Sequence, residues 1–131
     1  MNPITELARN EIFVFGSNEV GIHGAGAAKT ARELFGAKHG VGIGRTGQCY
    51  AIPTKDFSMH TLPLEAIQHY INDFLIYTDN HPELLFLVTP IGTGLAGYTH
   101  EQIAPLFKSA LHSYNISLPE EFVKILEQKT P

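Results

Sequence analysis

The hydrophobic and polar positions alternate between two periods along the chain. "EIFVFG" (11–16) is a short β-branched and aromatic run ended by glycine, the mark of a buried strand. From about Ala25 to Phe35 the period becomes helical, with Ala27, Ala31, Leu34 and Phe35 on one side and Gly36 placed as a C-terminal cap. "GVGIGRTGQ" (40–48) reads as loop, and "CYAIPT" (49–54) as a second strand stopped at Pro53. Leu62 to about Thr78 is a long amphipathic helix with Leu64, Ile67, Ile71, Phe74 and Leu75 on its apolar face and Pro63 in its first turn. "ELLFLVTP" (83–90) is the most apolar segment and is expected to be the central strand, covered on both faces. After "IGTGLAGY" (91–98), Thr99 and Gln102 form a capping-box signature. Pro105 then falls deep enough in the following helix to predict a kink or a tight first turn. "NISL" reads as a last edge strand and "PEEFVKILEQ" as a closing helix.

Strands alternating with helices imply an α/β sheet with crossover connections and helices on both faces. Ligands of such sheets bind beyond the carboxyl ends of the strands. Two glycine-rich segments, "GIHGAGAA" (21–28) and "IGTGLAGY" (91–98), leave strands at those ends and enter helices, so both are expected on the same rim. Turns without bulky side chains let backbone N–H groups reach a ligand, and a helix N-terminus adds roughly half a positive charge. Two such turns side by side suit a diphosphate. The competing explanation is that the glycines only satisfy tight strand-to-helix geometry.

Composition narrows the class. The chain has 131 residues, read as one domain over 1–131, with 44% hydrophobic and 17% charged positions, as in ordinary globular proteins. A net charge of -4 argues against nucleic acid as a partner. Cys49 is the single cysteine, which excludes an internal disulfide and fits a reducing, cytoplasmic setting. Neither a signal peptide nor a membrane span is expected, and no membrane partner.

Three patterns are set aside. "GIGRTG" (42–47) spells a dinucleotide-binding motif without the strand before it and the helix after it. "GAGAAKT" (24–30) has Ala28 where a phosphate-binding P-loop needs glycine. The seven histidines show no paired ligand spacing, so neither a metal nor another cofactor is expected.

"EIFVFGSNEVGIHGAGAAKTARELFG" together with "VTPIGTGLAGYTHEQIAPLF" resembles the macrodomain superfamily of ADP-ribose-binding modules. Within it, "HGAGAA" and "AIPTKD" look most like the branch that contains the terminal ADP-ribose protein glycohydrolase. The resemblance implies a three-layer α/β/α sandwich with a mixed, mostly parallel central sheet. It also implies ADP-ribose, or a related adenine diphosphate-ribose compound, as ligand, free or carried on a macromolecule. Residue by residue, Glu11 would accept a hydrogen bond from the adenine amino group. Asn18 and the loop of His23, Gly24, Ala25, Gly26 and Ala27 would border the distal ribose. Gly92, Thr93, Gly94, Leu95, Ala96 and Gly97 would wrap the diphosphate, with Tyr98 stacked near the ligand. Lys55 matches the lysine that attacks the anomeric carbon in the glycohydrolase branch.

The sequence departs from that branch at the lysine's partner, an aspartate inside the late loop, where this chain reads "GLAGY". Asp56 is the candidate substitute, and His23 a candidate general acid/base. Four readings follow: an ADP-ribose-binding module, an ADP-ribosyl hydrolase using Lys55, a hydrolase or transferase acting on a free nucleotide, and a structural or interaction protein without a ligand. Binding is the first reading and hydrolysis the second.

Overall fold

The computed structural model describes residues 4–128. β1 (Glu11–Asn18) leads to α1 (Gly26–Leu34), β2 (Gly44–Thr46), β3 (Cys49–Lys55), α2 (Leu64–Asp79) and β4 (Leu85–Val88). A short α3 (His100–Ile103) runs directly into a 3-10 segment (Ala104–Ala110), followed by β5 (Ile116–Ser117) and α4 (Glu120–Gln128). The strands form one mixed sheet in the order β2-β3-β1-β4-β5. β3, β1, β4 and β5 run parallel, and β2 is antiparallel to β3.

Strict alternation along β1 builds two cores. Ile12 and Val14 point to one face, where Tyr50, Ile52, Phe86 and Val88 join Ile67, Ile71 and Phe74 of α2, Ile103, Phe107 and Phe122. Phe13 and Phe15 point to the other, packing with Cys49, Ala51 and the α1 side chains Ala28 and Ala31. The central strand is therefore β1, not the segment 83–90. β4 lies one place outward, and Leu85 and Leu87 keep partial exposure because α1 packs over β1.

Two further expectations change. Residues 44–46, read as loop, are a strand, because the two-residue turn Gly47–Gln48 folds them back on β3 as a hairpin. Leu34 is exposed, since the buried stripe of α1 runs through Ala28 and Ala31. Thr99 and Gln102 do form the capping box, and the backbone tightens into the 3-10 segment where Pro105 removes an amide donor. No described helix is long and apolar enough to cross a membrane.

Candidate functional site

Parallel pairing brings the carboxyl ends of β1, β3 and β4 to one edge, and both glycine-rich segments leave from it. Residues 24–28 and 92–96 line a single cleft of about 410 Å³, with Asn18, Thr54, Lys55 and Thr89 at the strand ends between them. That volume lies within the range of small-molecule sites.

Backbone donors dominate the cleft. The late loop is held by turn bonds from Thr93 N–H to Pro90 O, Gly97 N–H to Gly94 O and Tyr98 N–H to Gly92 O. The amides of Gly92, Gly94, Leu95 and Ala96 have no partner among the described residues. α1 starts from Ala25 with no side-chain cap and no acidic residue in its first turn. The amides of Gly26, Ala27 and Ala28 are therefore unpaired as well, at the positive end of the helix dipole.

The glycines divide by cause. Gly42 lies under the first loop, where a Cβ would stand 1.8 Å from the Asn18 carbonyl oxygen. Close backbone packing explains it. Gly24 and Gly94 differ: neither has a positive φ, and a Cβ on either would meet nothing within 4 Å. Turn geometry and packing place no demand on these two positions. The space that their missing side chains leave is the cleft.

Lys55 reaches the lining from the end of β3, where a register shift between Ser17 and Asn18 sets it opposite Asn18. It is the one charged side chain among the described residues of the lining, which includes no carboxylate. Asp56, the candidate partner, is outside the lining. Its Oδ1 accepts from the amides of Ser58 (2.8 Å) and His60 (3.0 Å), so it closes its own loop. Glu19, next to Asn18, accepts from the Tyr70 hydroxyl of α2 and is also outside the lining. Burial first, and then that hydrogen bond and the charge of Glu19, push the Tyr70 hydroxyl up to about 12.

Four other expected residues stand elsewhere. Glu11 starts β1, at the amino end of the strand, seven residues (on the order of 20 Å) from the cleft edge. Its carboxylate accepts from the amide of Ala8 at 2.7 Å. His23 is fully buried beneath the loop, edge-on to Phe15, with Nε2 donating to the Val41 carbonyl at 3.1 Å. Its Nδ1 is buried without a partner, and the ring forms no part of the lining. Tyr98 packs against the larger core and donates to the Leu62 carbonyl at 2.7 Å, and Gly97 completes the turn before it. Neither Gly97 nor Tyr98 lines the cleft.

Asn18 is in the lining, but its side chain serves the loop. Oδ1 accepts from the amides of Gly21 (2.8 Å) and Ile22 (3.0 Å), and Nδ2 donates to the Ile22 carbonyl (2.8 Å). Sequence reasoning missed nine residues of the lining, among them Ile22, Ala28, Thr54, Met59 and Thr89. Thr54 and Thr89 carried a readable signal, since one lies just before the end of β3 and the other just after the end of β4, both at the carboxyl edge. Met59 carried none, because its position depends on a loop that folds back.

Among the described residues, no three His, Cys, Asp or Glu side chains converge to hold a metal ion. No family model, curated protein or solved structure matches the chain.

Proposed function

We propose that this chain is a three-layer macrodomain-like module that binds ADP-ribose, or a related adenine diphosphate-ribose compound, in the cleft between its two glycine-rich loops. The observation that carries the reading is the set of unpaired amides of Gly26, Ala27, Ala28, Gly92, Gly94, Leu95 and Ala96 bordering one cavity. Lys55 stands beside them, and no carboxylate opposes it among the described lining residues. A pyrophosphate supplies several anionic oxygens to such an array, and each charge-assisted bond contributes about 1.5–3 kcal/mol. Helices packed on both faces of a mostly parallel sheet support the macrodomain-like architecture.

Thermal unfolding with ADP-ribose tests the reading. A hundredfold excess over Kd stabilises the fold by about 2.7 kcal/mol. A melting curve unmoved by ADP-ribose and by its phosphorylated and cyclised derivatives would remove the proposal. The location of Lys55 in the lining favours one second reading, hydrolysis of an ADP-ribosyl bond with the lysine as nucleophile. In that case release of ADP-ribose from modified substrate stops in Lys55→Ala.

A further inference from the structure

The polar side chains of the cleft turn their donors inward. Ser17 donates to the Gly42 carbonyl, Thr54 to Ser17 (3.2 Å), Thr89 to Val14 (2.8 Å) and Thr93 to Pro90 (2.7 Å). Asn18 is occupied by Gly21 and Ile22, and Glu11 lies at the far end of its strand. No acid is therefore at hand among the described lining residues to read the edge of a base.

The mouth supplies apolar surface instead. Ile22, Met59 and Leu95 all line the cleft while remaining exposed, Leu95 at 78%. Met59 is the one described non-glycine residue with a positive φ, 65°, a conformation uncommon for a long unbranched side chain. Surrounding bonds over-determine it. Asp56 Oδ1 holds the amides on both sides of Met59, and the Met59 amide itself donates to the Asp56 carbonyl at 3.0 Å. Lys55 bridges to Thr61, whose hydroxyl donates to Ala96 O at 3.0 Å and so fastens this loop to the late glycine loop. Backbone strain maintained in this way at a cavity points to use. The thioether presented there is a flexible, polarizable surface that adapts to flat rings.

We propose that the site selects nucleoside diphosphate-riboses by their pyrophosphate and lays the base on an apolar wall of Ile22, Met59 and Leu95, accepting purines and pyrimidines alike. This rests on the diphosphate reading above. Apolar contacts discriminate related ligands by roughly 10- to 200-fold at most, whereas sites built on hydrogen bonds reach about 10⁴–10⁵.

The test is calorimetric titration of the protein with the diphosphate-riboses of adenosine, inosine, guanosine and uridine. The four dissociation constants are expected within about tenfold of one another. Met59→Ala and Met59→Gly, the latter suited to the left-handed backbone, are expected to weaken all four by a similar factor of roughly ten. Preference for ADP-ribose over the inosine compound beyond that tenfold overturns base tolerance and leaves diphosphate binding intact. So does a Met59→Gly protein, folded by circular dichroism, that loses affinity for ADP-ribose alone. Failure of all four ligands removes the diphosphate reading itself, and base tolerance with it.

Discussion

Replacing Gly94 by alanine separates a glycine kept for a ligand from one kept for the backbone. Gly94 has no positive φ, and an added methyl meets no atom within 4 Å, so the folded state accepts it without strain. Alanine also narrows the unfolded ensemble, which stabilises by about 0.4–1 kcal/mol at compatible positions. The midpoint of thermal unfolding is thus expected to stay level or rise by a few degrees. Binding should move the other way. The methyl projects from a loop whose amides at Gly94, Leu95 and Ala96 are unpaired, and displacing a phosphate oxygen from one or two of them costs about 1.5–3 kcal/mol each. The expected loss is therefore at least tenfold in ADP-ribose affinity, read by calorimetry beside a melting curve of the free protein. Gly92→Ala is the contrast, because φ is +78° and the new Cβ would lie 2.8 Å from Cδ1 of buried Ile103. That variant is expected to lose fold stability first. A Gly94→Ala protein that melts normally and binds ADP-ribose as tightly as the parent would refute the ligand argument. One that fails to fold would return the glycine to turn geometry.

Other consequences are open to equally direct measurement. Lys55→Ala removes the one cation of the described lining and should weaken ADP-ribose binding by roughly 10- to 150-fold, with a flatter dependence on salt. Asp56→Ala releases two loop amides and should lower stability by about 1–2 kcal/mol, seen as a midpoint lower by several degrees. Alkaline conditions should destabilise the fold. Burial raises the Cys49 thiol from 9.0 to about 11 and Tyr50 from 10.0 to about 12, and Tyr70 also rises to about 12. The unfolded chain then releases these protons at lower pH than the folded one, so stability is complete below about pH 9 and declines as pH rises toward 11–12. Denaturant midpoints across that range check the slope, and Cys49→Ala should remove the part that begins near pH 9.

The period of the apolar residues was enough to place β1, β3, β4 and the long helix α2, because burial against a sheet demands alternation and burial along a helix demands a stripe. The capping pair Thr99 and Gln102 and the effect of Pro105 were equally local, depending on neighbours within one turn. So was the prospect that two glycine-rich segments share a rim, since parallel strands joined by crossovers end on the same side. Tertiary structure decided what lies in the cleft. Glu11 and Asn18 belong to the same strand, but they are the opposite ends of its eight extended residues, and only the Asn18 end meets the loops. His23 sits among glycines in the sequence, yet its ring is drawn under the loop by Phe15 and Val41. Asp56 follows Lys55 directly, but its carboxylate answers to Ser58 and His60 rather than to the cavity. Local pattern determines which segments form and which edge they leave from. The direction of each side chain at that edge depends on partners distant in the chain, and only folding brings those together.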